Sequence, residues 1–347
     1  MHPLARRTGF ITTLLAAWLV VALPATAAAP TADAQFEALG QRFVDEFGRY
    51  APVYATALGD HRYDGELDDL GADGRARSLA WVQATLAELG RIDRAALSRA
   101  NQVDAAMLEN QLRYAAWSEE RYRDWSWDPL LYTQLAGQSL YGLLARDYAP
   151  LAERLAAVTS RLEKLPRLLE QERANLVPER VPAIHAETAI KQNPGVLSLV
   201  DGLVVPALGA LDEAGQTRLR KAIDAARVAV QQHQKWLETE LKPKAQGEFR
   251  IGRELYEEKL AFALMSPLSR QEIRGRAEAE VLGTRERMYE VARKVLAGRE
   301  GAPALPDAPT REQQQAAIAA ALELAYADRP ARESVVDLAR ATLEETT

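Results

Sequence analysis

The run Asp60-His61-Arg62-Tyr63-Asp64 puts an imidazole, a guanidinium, a phenol and two carboxylates within one short stretch. Gathered by a turn, such groups can move protons, bind an anion or hold a polar substrate. The flanks predict that turn. Pro52 opens a helical segment with Val53, Ala57 and Leu58 at helical spacing, Gly59 supplies a left-handed close, and Gly65 ends the polar run. Two readings fit these residues. One is a binding or catalytic corner; the other is a capped helix end whose charges lace a loop to the helices beneath it.

A second place for chemistry is His185-Ala186-Glu187. Residues two apart on a helix point to different faces, so this is either a polar pair lining a cleft or an interhelical contact. His233 falls on the apolar stripe Leu219, Ile223, Ala226, Val230, Leu237 and Leu241, the position of a packed, hydrogen-bonded histidine. No two histidines stand one helical turn apart around a glutamate, as a helical zinc-hydrolase motif requires. No nucleophile elbow, phosphate loop or dinucleotide fingerprint occurs. The 347 residues contain no cysteine, which excludes disulfides, thiolate catalysis, cysteine metal ligands and lipid attached to cysteine. The residues themselves therefore assign no metal site and no cofactor.

The elements that must position these groups read as helices throughout. Asp33 stands where it can cap a helix carrying Phe36, Leu39, Phe43 and Phe47. Val103, Met107, Tyr114 and Trp117 are expected as the buried stripe of a helix from about Asn101. The aromatic patch Tyr122 to Trp127 suits a carbohydrate or peptide platform, or a helix junction that fills the core. Pro166 is expected to mark a kink or a fresh start, and Asn193-Pro194-Gly195 to interrupt the helix opened by Pro182. Ser269 with Glu272, and Thr310 with Gln313, spell capping boxes on either side of a linker-like loop, Gly298 to Pro309. No alternating strand pattern is found. The expected fold is all-α, a multi-helix array of layered antiparallel helices with no significant sheet.

Residues 1–29 read as a signal peptide. Arg6 and Arg7 precede the apolar run Phe10 to Leu23, Pro24 breaks it, and Ala25-Thr26-Ala27 offers a small-x-small cleavage site. Residues 30–347 are then one helical domain, and no stable membrane span is expected after cleavage. Removing the leader takes the net charge from -6 to -8, which argues against nucleic acid as a partner and for a periplasmic or secreted protein.

Three passages carry a resemblance: Ala55 to Leu70, Val181 to Leu203 and Arg250 to Leu264. In this order they resemble the bacterial family known as domain of unknown function 885, whose members are often exported and largely helical. The resemblance implies a zinc-dependent peptidase, because longer members carry a motif of the type His-Glu-x-x-Pro-Gly-His in their C-terminal half. That motif is absent here, so zinc is implied only for a full-length member and no catalytic residue can be carried over. On this reading the chain is the N-terminal portion of an exported peptidase-like hydrolase, inactive alone, with a peptide as substrate. His61, Arg62, Tyr63, Asp64, His185 and Glu187 lie in matching passages and are the candidates for facing its cleft. The alternative is a complete, non-enzymatic helical binding protein. The oligomeric state is not legible.

Overall fold

A computed structural model describes residues 30–346, so the expected signal peptide lies outside the described residues. They form two compact units that divide at Ile251 and Gly252. The first contains α1 (Ala32–Phe47), α2 (Pro52–Leu58), α3 (Ala72–Leu89), α4 (Arg99–Trp117), α5 (Pro129–Leu144), α6 (Leu151–Asn175), α7 (Ala183–Gln192), α8 (Pro194–Leu199), α9 (Val205–Ala207) and α10 (Glu213–Trp236). The second contains α11 (Arg253–Leu264), α12 (Arg270–Leu296), α13 (Arg311–Ala327) and α14 (Val335–Thr346). Among the described residues there is no strand, only an isolated bridge between Pro182 and Gly247. The fold is all-α, as the sequence predicts.

The first unit is built on α6, which packs along α10 on one side and α5 on the other. Leu155, Val158, Leu162, Leu165 and Leu168 interlock there with Leu219, Ile223, Ala226 and Val230. Each such side chain contributes roughly 1.5–3 kcal/mol when taken out of water. A smaller cluster joins α1, α3 and α4 through Phe36, Leu39, Val82, Leu89 and Leu112.

Four local expectations are corrected. The cap of α1 is Thr31, whose hydroxyl accepts from Ala34 N–H, while Asp33 accepts from Ser98 N–H and the Asn101 amide. Pro166 lies inside an unbroken α6, because Leu165, Leu168 and Leu169 on both sides of it are buried and hold the helix across the missing hydrogen bond. Asn193 keeps helical angles (φ -53, ψ -41), so α7 and α8 run on rather than turn. Its buried amide donates to Val230 O at 3.1 Å and Gln234 Oε1 at 2.9 Å, which ties the junction to α10. In α4, Val103 and Met107 are 42% and 57% exposed. The stripe facing α1 and α3 is instead Ala105, Leu108 and Leu112, at a different phase on the same helix.

The run 183–210 is long and apolar enough to cross a membrane by length and composition. Its Ala186, Ala189, Val196, Val200 and Val204 face the main core. In the second unit both capping boxes form, at Ser269 and Thr310. α12 and α13 share a core of Tyr289, Ala292, Leu296, Ala317 and Ile318. The loop between them is fastened by Tyr289 Oη donating to Pro306 O at 2.7 Å and by the pair Arg293–Asp307 at 2.6 Å. α11 and α14 bury no side chain.

Candidate functional site

The corner after α2 forms because its backbone is supplied with partners from afar. Gly59 takes φ 92 and closes α2, the left-handed turn that a side chain resists. No side chain of its own caps the start of α2. Asp68, fifteen residues on, accepts from Val53 N–H at 3.2 Å instead. Asp60 then accepts from Arg62 N–H at 3.1 Å and starts the short 3-10 turn His61–Tyr63.

That turn presents His61 against Tyr148, from the segment between α5 and α6. The two rings lie parallel, 3.5 Å apart with 5° between their planes. His61 Nδ1 stands 3.0 Å from Asp64 Oδ2, and Tyr148 Oη donates to the same oxygen at 2.5 Å. A carboxylate oxygen only accepts, so Nδ1 carries a proton, and in the neutral ring the lone pair is on Nε2. Nε2 makes no hydrogen bond among the described residues, and the ring is partly open to solvent. Burial, then the bond to Asp64, push the Tyr148 phenol above its ordinary pKa, so it stays protonated.

Behind Asp64 sits a second layer. Thr56 Oγ1 donates to Asp64 Oδ1 at 2.6 Å and accepts from Arg161 Nη2 at 2.7 Å. Arg161 is 1% exposed. Its other donors go to Glu66 O at 2.8 Å and Ser139 O at 2.9 Å, so the guanidinium knots the loop to α5 and α6. Burial pulls its pKa down, and Asp64 and Asp68 act against that pull. Burial likewise pushes the Asp68 carboxyl up to about 6.

The rest of the loop is strapped along one face of α6. Ser160 and Lys164 donate to Gly65 O at 2.8 and 2.5 Å, and Arg167 to Leu67 O at 3.2 Å. Gln171 Oε1 accepts from Leu70 N–H at 3.1 Å, and Asn175 donates to Leu70 O at 2.7 Å. These residues recur every three or four positions, so the polar stripe of one helix satisfies an extended loop. The charges lace the loop to the helices, as the second reading has it, and one imidazole is left with a nitrogen that no described residue engages.

The other candidates separate. Arg62 turns away to Asp60 at 2.8 Å and Asp45 at 3.2 Å, and the Asp60 bond lifts its pKa. Tyr63 Oη donates to Asp45 O at 3.2 Å, its ring passing 2.3 Å from where a side chain on Gly48 would begin. Only His61 and Asp64 of the run share a site. His185 Nδ1 meets Asp128 Oδ1 at 3.0 Å, whereas Glu187 faces Lys242 at 3.8 Å. They diverge as residues two apart on a helix must. His233 is packed, as its stripe position implies, with Nε2 3.1 Å from Glu172 Oε2.

Two residues of the corner were not singled out from the sequence. Tyr148 and Arg161 reach the corner over 84 and 105 positions, as counted from Asp64 and Thr56. The signal for Arg161 was an arginine on the apolar stripe of α6. A cleft of about 280 Å³ lies where α3, α4 and the segment 124–131 meet, lined by Tyr50, Arg75, Tyr114, Glu119 and Trp125 among others, and Trp125 belongs to the aromatic patch marked in the sequence. Arg75 lies flat on Trp125, 3.7 Å from its centroid, and pairs with Glu119 at 3.0 Å.

Among the described residues, no group of three His, Asp or Glu side chains is arranged to hold a metal ion. His61, His185 and His233 each pair with a different carboxylate. The residues present therefore do not fit the zinc centre that the resemblance implies for longer chains.

The structure is similar to that of a candidate lipoprotein of unknown function from Shewanella oneidensis, with a TM-score of 0.73 and 26% identity. The match covers 89% of this chain and 56% of that one, so this chain spans little more than half the length of its neighbour. No curated protein matches significantly. The model of the family described as "Bacterial protein of unknown function (DUF885)" matches residues 52–347, and the chain belongs to that family.

Proposed function

We propose that residues 30–346 form the substrate-holding part of an exported, peptidase-like hydrolase, with the His61 corner at its reactive edge. The observation that supports this reading is the imidazole of His61. Its Nδ1–H is given to Asp64, its face to Tyr148, and its Nε2 to no described residue. A neutral histidine oriented in this way accepts a proton or a substrate hydrogen at Nε2. A peptide as substrate follows from the family resemblance. With neither a ligand set nor a nucleophile beside His61, the chain by itself is read as inactive. Export is supported by the leader-like residues 1–29 and by the lipoprotein description of the neighbour, although this chain has no cysteine to lipidate.

The test is peptide binding and hydrolysis by the purified chain. A mixed peptide pool should bind without turnover, and His61→Gln should weaken binding about 10-fold. Chelator-sensitive hydrolysis by the chain alone overturns the claim of inactivity. Binding untouched by His61→Gln favours the second reading, a non-enzymatic binding protein, which the closed core of the first unit also supports.

A further inference from the structure

The second unit leaves two apolar surfaces uncovered. One is a groove between α12 and α13, made of two adjoining hollows of about 400 and 390 Å³. Its wall on α12 is Val281, Thr284, Met288, Val291 and Val295, spaced three and four apart, and Leu322 lines it from α13. Such spacing is the seam along which one helix packs on another. The stripe that α13 covers is the next one round, Tyr289, Ala292 and Leu296. The seam itself stays open, with Val281 and Val291 each 59% exposed.

The other surface is α14. Val335, Leu338, Ala339, Thr342 and Leu343 fall on one face of this helix, with Asp337, Arg340 and Glu344 on the far side. An amphipathic helix is held chiefly by burying its apolar face, yet the described side chains of α14 are all exposed. The connector from Ala327 to Val335, with Pro330 and a 3-10 turn at Arg332–Ser334, carries α14 clear of its own groove.

The two surfaces match in length and in charge. α14 has 12 residues, about 18 Å of helix. The seam from Val281 to Val295 runs about 21 Å. Glu345 stands at one edge of the α14 stripe and Arg285 at the lip of the groove. Neither has an ion-pair partner among the described residues.

We infer that the groove seats α14 of a second copy, and that the exchange is reciprocal, each copy of a two-fold dimer lending one helix and receiving one. Seated to half its girth, a helix of this length and about 10 Å across covers roughly 300 Å² and hides as much of the groove. Two such contacts total roughly 1,200 Å², the floor for a specific interface, and one alone falls short of it. None of these residues belongs to the His61 corner.

Sedimentation equilibrium of the purified chain should show monomers in exchange with dimers. Val291→Glu in the groove and Leu338→Glu on α14 should each weaken dimerisation about 10-fold or more. Both side chains are largely open to solvent, at 59% and 51%, so the monomers should keep the parent's circular dichroism. Mixing the two variants is the decisive arm. Each retains the surface that the other has lost, so a mixed pair regains one intact contact and should associate more tightly than either variant alone. A parent chain that stays monomeric, as it would with α14 folded onto its own groove, overturns the inference. So does a dimer that either substitution leaves intact, or a mixture no tighter than its parts. His61→Gln should dimerise as the parent does, so this test and that of the His61 corner fail separately.

Discussion

Two histidine–carboxylate pairs in the same unit differ in one respect that decides their roles. In the His61–Asp64 pair the carboxylate takes Nδ1–H, and Nε2 is left at a partly open surface. In the His233–Glu172 pair both side chains are almost wholly buried, at 2% and 1% exposure, and both ring nitrogens are engaged. Arg173 reaches Nδ1 at 3.5 Å, so Nε2 carries the proton toward Glu172. Glu172 Oε1 has no hydrogen-bond partner among the described residues, and burial raises that carboxyl's pKa. The same two groups, an imidazole and a carboxylate, thus make an oriented ring with one open nitrogen in one place and a packed joint between α6 and α10 in the other. What separates them is the surroundings of the second nitrogen, not the pairing.

The comparison can be broken most forcefully at the buried pair. His233→Leu should cost about 3–5 kcal/mol at neutral pH, because it strands a buried carboxylate. A carboxyl whose folded pKa is raised destabilises only when ionised. The loss should therefore be greatest above the raised pKa and shrink as pH falls toward the ordinary carboxylate range. Urea unfolding at several pH values measures this, and a pH-independent loss would mean that Glu172 is neutral throughout.

Arg161→Met comes next, at about 2–4 kcal/mol, since it leaves the carbonyls of Glu66 and Ser139 without their donor. It should also loosen the His61 corner, seen as faster amide exchange over 60–68. A stable variant with an unchanged corner would show that the second layer is dispensable.

Asp64→Asn sharpens the contrast between the pairs. It should cost about 1–2 kcal/mol and, more tellingly, release the single tautomer of His61. Nitrogen shifts of the imidazole read this directly, and a retained Nδ1–H form would mean that Tyr148 stacking alone orients the ring.

Asp68→Asn is smaller and depends on pH. The penalty for ionising Asp68 is absent below about 4 and complete above about 6. Relative to the parent chain, the variant should gain stability as pH rises through that window. Parallel melting curves across the window would remove Asp68 from the account. The smallest effect belongs to Glu187→Ala. Its contact with Lys242 at 3.8 Å is exposed, so less than about 0.5 kcal/mol is expected.

Helices, caps and the packed histidine were legible because they are written in near neighbours. Gly59 at the close of α2, the boxes at Ser269 and Thr310, and His233 on its stripe each depend on residues within a few positions. The errors have the same root. Pro166 and Asn193 look like breaks when read locally, and packing from both sides overrides them. Of the polar run, the sequence by itself determined that a turn would gather charges after α2. Only the tertiary structure decided which charges matter. Tyr148, Thr56 and Arg161 select Asp64 as the acceptor and, among the described residues, leave His61 Nε2 without a partner, while Asp60 and Asp45 draw Arg62 away. The physical reason is distance along the chain. Periodicity and capping act over a turn or two of helix, whereas the partners that orient an imidazole arrive from elements whose docking no local pattern records.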